Sequence, residues 1–264
     1  MNKKLEILSD ELLKYFESKI DFDPSRNLKT KSEEKIPFDY FSFYTSVSSV
    51  YSSKIEGENI EADSYIKHKF LNVRYELDYT KKSDDLFEAY EFSKNKKLNC
   101  KNLLKAHEIL SQNLLAPSQR GMIRTNPMFV LNENDRIEYV ACEPKKVKIE
   151  LKKLFNDIKT LRKSDLNIVE SFYYAAYIHL VFLKIHPLQD GNGRTARLIE
   201  KWFLREKLGD KAISIELEKN YYKNKPKYYD NIREIGLEYI ELEYDKALSF
   251  LLMTISSLRK IKKK

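Results

Sequence analysis

His186-Pro187-Leu188-Gln189-Asp190-Gly191-Asn192-Gly193-Arg194-Thr195-Ala196-Arg197 is the stretch on which the reading of this chain turns. The residues before it, Ile168 to Ile185, are apolar at close to helical spacing, so His186 should emerge at a helix end that Pro187 enforces. Gly191-Asn192-Gly193 is a turn that bulky residues could not make. Helical composition resumes at Arg194 and runs through Leu198, Ile199, Trp202 and Phe203. A glycine turn therefore opens a helix.

Such a junction aims unpaired backbone N–H groups and the positive end of a helix dipole at one spot, which is how proteins hold phosphate. Arg194 and Arg197 are three apart, so both guanidinium groups can reach one anion. Asp190 offers a hard oxygen ligand where Mg²⁺ sits in nucleotide sites. His186 has the ordinary pKa that suits proton transfer near neutral pH. A bare Asn-Gly turn with His186 and Asp190 as caps would explain the glycines only.

The run resembles the Fic signature, His-Pro-Phe-x-Asp/Glu-Gly-Asn-Gly-Arg-x-x-Arg, and departs from it only at Leu188, where the family commonly has Phe. Arg120-Gly121-Met122-Ile123-Arg124, Glu143-Pro144 and Leu104-Lys105-Ala106-His107 are also similar to the family pattern, so the resemblance covers roughly 40–235. It implies a mainly α fold, the Fic helical bundle with a β-hairpin flap. It further implies His186 as catalytic base, Asp190 as the Mg²⁺ ligand, and Gly191, Asn192, Gly193, Arg194, Thr195 and Arg197 as ATP contacts. Gly193 argues against the relatives that bind ATP backwards, which carry Lys there.

A chain of 264 residues with 42% hydrophobic and 33% charged residues can bury a substantial core. Six glycines and seven prolines are few, which favours helices. The apolar stretches near Phe172–Ile185 and Ala247–Leu258 fall short of a bilayer span, so no membrane helix is expected. Two cysteines, Cys100 and Cys142, indicate neither a disulfide scaffold nor a zinc site, and the start lacks an apolar signal core. A cytoplasmic location is the expectation. The net charge of +8 and the tail from Arg259 to Lys264 invite a nucleic-acid reading. Elsewhere the lysines alternate with Glu and Asp as on a solvated face, so nucleic acid is not expected as a partner.

Apolar spacing predicts helices near 5–19, 39–56, 62–75, 86–97, 101–115, 147–162, 166–185, 195–207, 227–235 and 237–260. The polar stretch 21–35, with Pro24, reads as a loop. Residues 1–36 then form an N-terminal helix and linker, 37–236 the core, and 237–264 a C-terminal helix and basic tail. Met128-Phe129-Val130-Leu131 and Ile137-Glu138-Tyr139-Val140, separated by Asn132-Glu133-Asn134-Asp135, read as a β-hairpin. By the resemblance, this 128–140 hairpin is the flap on which a protein substrate docks as an added strand.

A second pattern, Ser52-Ser53-Lys54-Ile55-Glu56-Gly57, ends the helix of about 39–57. Ser52 and Glu56 share a face, and Gly57 suits the left-handed position that closes a helix. Glu56 faces the negative end of the dipole, which is unfavourable unless a cation or water meets it. The pattern resembles the inhibitory helix of Fic proteins that carry it on the N-terminal side. By that resemblance Glu56 pairs with Arg197 and blocks the place of the ATP γ-phosphate.

The expected function is transfer of AMP from ATP to a Ser, Thr or Tyr hydroxyl of a protein, autoinhibited by Glu56. By the resemblance Tyr221 and Tyr229 lie where relatives line the adenine pocket. His107 and His179 read as packing residues and His68 as exposed. De-AMPylation, UMP or phosphocholine transfer, and an ATP-sensing regulatory module that binds nucleic acid are the alternatives. The identity of the protein target, self-modification and oligomeric state stay open.

Overall fold

The computed structural model describes residues 4–32, 35–131 and 136–259. In chain order it runs α1 (Leu13–Ser18), α2 (Pro24–Ser32), α3 (Tyr40–Ile55), α4 (Ala62–Leu71), α5 (Leu77–Lys94) and α6 (Cys100–Leu110). The small sheet β1 (Phe129–Leu131) and β2 (Ile137–Val140) follows. Then come α7 (Pro144–Lys163), α8 (Ile168–Ile185), α9 (Asn192–Leu208), α10 (Leu217–Lys223), α11 (Lys225–Arg233) and α12 (Leu248–Ser256). The architecture is a helical bundle with a hairpin on its surface, as expected.

Helix α8 is the axis. Asn167 accepts from the Glu170 N–H while the Glu170 carboxylate accepts from the Asn167 N–H, a reciprocal cap that fixes where the helix begins. Phe172, Ala175, Ala176, Ile178, Val181 and Ile185 are wholly buried. Each large apolar side chain so placed contributes roughly 1.5–3 kcal/mol. The sequence reading that this stretch is too short for a bilayer needs correction: the helix is long and apolar enough, and 78% of it lies inside the protein. A core helix surrounded by α7, α9 and α12 is apolar all round for the same reason a membrane span is.

Three further expectations change. The predicted helix at 5–19 is helical only from Leu13, because the Asp157 carboxylate takes the N–H groups of Glu6, Ile7 and Leu8 and holds that strand of chain across α7. The predicted loop at 21–35 contains α2. Pro24 stands at its first turn, where no N–H is needed, and Asp23 accepts from the Arg26 N–H. The predicted helix from Leu237 begins only at Leu248, after two short 3₁₀ turns. Its end at Lys260 and the rest of the basic tail lie outside the described residues, as does the hairpin tip 132–135. Leu8, Phe16 and Leu28 from one flank and Phe250, Leu251 and Leu258 from the other join the same core as α8 and α9, so neither flank is an appendage.

The hairpin is antiparallel, with Phe129 opposite Val140, Val130 opposite Tyr139, and an irregularity between Val130 and Leu131. The outer edge of β2 is already met by the chain at Leu237–Glu238, through the Val140 N–H and the Leu237 carbonyl. Among the described residues, the outer edge of β1 pairs with no further strand.

Candidate active site

Residue 186 closes α8 in the left-handed region, φ 52° and ψ 58°, a conformation that costs a non-glycine residue energy and turns the chain sharply. Arg124 holds the turn. Its guanidinium donates to the carbonyls of Ile185 and His186 on one side and of Asn126 and Cys142 at the hairpin base on the other. The Ile123–Leu188 bridge and the bond from the Arg124 N–H to the Pro187 carbonyl complete the seam. Leu188 is fully buried, so Leu serves as an apolar anchor where the signature has Phe.

Among the described residues, the His186 imidazole has one hydrogen-bond partner. Nδ1 lies 3.2 Å from the Leu183 carbonyl, which can only accept, so Nδ1 carries the proton and Nε2 keeps its lone pair. Burial, assisted by Arg124, pushes its pKa down to about 4 despite the Leu183 carbonyl. The ring is thus a neutral acceptor at physiological pH. Asp190 is exposed. Its carboxylate accepts from the Gly191 N–H at 2.6 Å, and its carbonyl lies 3.1 Å from His107 Nε2. Because the Gly121 N–H donates to His107 Nδ1, the ring proton is on Nε2, and His107 donates to the Asp190 carbonyl. The expectation that His107 merely packs is corrected: it pins the anion loop to α6.

Helix α9 begins at this loop with N–H groups that have no intrahelical acceptor. Arg194, Arg197 and Lys201 form a cationic stripe along it at helical spacing, and α3 lies against that stripe. Lys201 reaches Ser48 Oγ and Glu218, 2.5 and 2.7 Å away. Arg197 donates through Nε to Ser52 Oγ at 2.8 Å and through Nη2 to the Glu56 carboxylate at 2.5 Å. Arg194 meets Glu58 at 3.3 Å, and Glu58 also pairs with Lys82 at 2.7 Å. Ser52 and Glu56 therefore both meet Arg197. Gly57 closes α3 with φ 92°. Glu58, the partner of the first motif arginine, is not among the residues that the sequence singled out.

Desolvation opposes the charge on Glu56, but Arg197, then Arg194 and Lys225, outweigh it and hold its carboxyl below the ordinary value. The carboxylate rests on the loop itself: a Cβ at Gly193 would stand 2.5 Å from Glu56 Oε1 and 3.2 Å from the Arg197 Nη1. A carboxylate thus lies directly over the backbone that opens α9.

These groups border a cleft of about 780 Å³, counting its open mouth. Glu56, Gly193, Arg197 and His186 line one part, and Val130, Leu183, Tyr229, Ile232 and Leu237 line the rest. Lys184 also lines it; desolvation, then Arg233, pushes its ammonium down to about 8. Tyr229 lines the cleft. Tyr221 does not: it is fully buried and its hydroxyl donates to Glu200, while Tyr228 borders the cleft in its place. Two loop residues are also reassigned. The Asn192 amide is spent on both backbone groups of Leu188, and the Thr195 hydroxyl donates to the Gly191 carbonyl, so these side chains shape the loop and do not face a ligand. His179 is buried against Glu200 and Tyr228, and His68 is half-buried with Nδ1 3.1 Å from the Val73 carbonyl, not exposed.

A neutral imidazole, the Arg197 guanidinium and the start of α9 at Gly193 line one cleft, and Asp190 and Arg194 flank that turn. Residues 97–204 match the model of the Fic/DOC family, so the chain carries a Fic domain over that stretch. Its fold is shared with a Fic family protein from Desulfovibrio desulfuricans G20 (TM-score 0.67, 16% identity, covering 90% of this chain and 73% of that one). It is shared too with a Fic domain containing signaling protein from Bacteroides thetaiotaomicron (0.63, 17%, 89% and 98%). A Fic-1 fragment from C. elegans also superposes (0.65, 14%, 93% and 69%). No protein of curated function matches the sequence.

Proposed function

We propose that this chain transfers AMP from ATP to a hydroxyl of a protein and that Glu56 holds it in check. The observation that carries the proposal is the joint occupancy of the anion nest: Glu56 uses the same Arg197 and the same Gly193 surface that a terminal phosphate would need. With Glu56 withdrawn, Arg194 and Arg197 would take the outer phosphates and the opening N–H groups of α9 the inner charge. His186 Nε2 would accept the proton of a Ser, Thr or Tyr hydroxyl as its oxygen bonds to the α-phosphorus. The bond to the β-phosphate oxygen breaks, and pyrophosphate leaves.

The donor set suits Mg²⁺ arriving with the nucleotide. Asp190 is one exposed carboxylate, and among the described residues no cluster of three acidic, His or Cys side chains could cage a metal alone. Asp190 would hold the ion, which when bound neutralises phosphate charge. The outer edge of β1, which pairs with no further strand among the described residues, would receive the target segment. Removal of AMP with Glu56 activating water is less well supported, since a carboxylate held below its ordinary pKa by Arg197 is a weak base.

The test is the Glu56→Gly protein with candidate protein substrates or lysate, given ATP labelled at the α- or the γ-phosphate. Protein-bound α-label above the parent level, with no γ-label, is expected. γ-Label, or no gain over the parent, contradicts the proposal.

A further inference from the structure

Arg197 is held from two sides. Three of its four hydrogen bonds run to α3: Nε to Ser52 Oγ at 2.8 Å, Nη2 to the Ser52 carbonyl at 3.2 Å, and Nη2 to Glu56 at 2.5 Å. The fourth runs into the core, from Nη1 to the Tyr228 hydroxyl at 3.4 Å. Should α3 leave, Tyr228 is the one acceptor among these that stays for a guanidinium only 1% exposed.

The Tyr228 hydroxyl is not free to turn. Its oxygen lies 3.0 Å from His179 Nε2, and His179 Nδ1 lies 2.8 Å from Glu200 Oε2. The other Glu200 oxygen accepts from the Tyr221 hydroxyl at 2.8 Å, and the Thr254 hydroxyl closes the group 2.7 Å from Tyr221. A carboxylate with donors converging on both oxygens accepts, so the His179 proton sits on Nδ1 and Nε2 is an acceptor. Tyr228 must then donate to Nε2, which leaves its lone pairs for Arg197. His179, Glu200, Tyr221 and Thr254 are wholly buried, so bulk water does not compete for these bonds.

We propose that Glu200 and His179 are positioning residues which, through Tyr228, keep Arg197 aimed into the cleft once Glu56 has withdrawn. The outer phosphate then meets a guanidinium already in place, without an ordering step. Tyr221, Tyr228 and Thr254 lie beyond residue 204, where the match to the family model ends, so the C-terminal helices of this chain are part of its nucleotide site. The inference rests on the reading of Arg197 as a phosphate ligand.

The experiment compares Glu56→Gly with Glu56→Gly/Tyr228→Phe, Glu56→Gly/His179→Leu and Glu56→Gly/His179→Gln. ATP and AMP affinities are measured by calorimetry, KM and kcat by α-label transfer, and folding by thermal melting. Tyr228→Phe and His179→Leu should weaken ATP about tenfold, the scale of one hydrogen bond to a charged group, and leave AMP unchanged. KM for ATP should rise by the same factor with kcat little altered, and His179→Gln, which keeps an acceptor, should recover most of the loss. Tyr228→Phe is nearly isosteric and keeps the test readable if His179→Leu melts early. Unchanged ATP affinity in folded Tyr228→Phe, or equal weakening of ATP and AMP, overturns the inference. Selective loss of ATP affinity in a protein that binds ATP but transfers no adenylate upholds the positioning role and overturns the proposed activity. An absence of ATP binding in Glu56→Gly overturns both.

Discussion

Helix α8 and helix α3 both lie against α9, and they are held there by different physics. The α8 contact is apolar burial, with Phe172, Ile178, Val181 and Phe182 in one continuous core with Leu198, Ile199 and Phe203. Six of the eleven buried residues of α3 are polar: Thr45, Ser46, Ser48, Ser49, Ser52 and Ser53. Its apolar side chains sit apart, Phe41 and Tyr44 with Ile213, and Val50 with Ile60 and Tyr65; of its buried residues Ile55 alone joins the main core. Apolar burial is lost outright when two surfaces part. A hydrogen bond is exchanged for one to water or to another anion at a net cost of only about 0.5–1.5 kcal/mol. The scaffold that aims His186 is therefore held by the core, whereas the contact of Glu56 with Arg197 is one that another anion can exchange.

The sharpest break on the rigid side is His186→Ala. It should lower AMP transfer in the Glu56→Gly protein by about 10²–10⁴, the range of a lost general base, with the melting curve little changed. Full activity in that variant would remove His186 from the reaction.

The contrast between the two interfaces is measured by stability. Phe172→Ala should cost about 3–5 kcal/mol of unfolding free energy, as truncation of a fully buried aromatic does. Ser52→Ala should cost about 1 kcal/mol, one hydrogen bond, since Arg197 keeps Glu56. Comparable losses by chemical denaturation would show that α3 is bound as firmly as α8.

The smallest effect concerns pH. Burial lowers the His186 pKa to about 4, so the imidazole is already a base above that pH and loses this role only as pH falls through about 4. The kcat/KM profile of Glu56→Gly should lack the inflection near 6.5 of an ordinary histidine. An acid limb centred there would place His186 in a wetter setting.

Much of this site was legible because the chemistry requires particular side chains at neighbouring positions. His186, Asp190, Arg194 and Arg197 sit on one turn and one helix, and local geometry alone brings them together. Glu56 was legible only through the resemblance to the inhibitory helix, because a carboxylate at a helix end is met equally well by water. What escaped reading depends on contacts distant in sequence: Glu58 is 136 residues from Arg194, His107 is 83 from Asp190, and Arg124 is 62 from His186. No periodicity encodes such pairings. The helices that were misplaced had local rules overridden by one remote or misread group, Asp157 capping the N-terminal strand and Pro24 opening α2 where it was taken for a breaker. Tyr221 and Tyr228 are both aromatic on adjoining helices, and only packing decides which one faces the cleft.

Calorimetric titration of ATP and of AMP into the parent protein and Glu56→Gly tests most directly whether Glu56 and a terminal phosphate compete for Arg197. ATP should bind Glu56→Gly at least about tenfold more tightly than the parent, while AMP, which has no outer phosphate to compete, binds both alike. Equal ATP affinity in the two proteins, or the same gain for AMP as for ATP, would contradict the account.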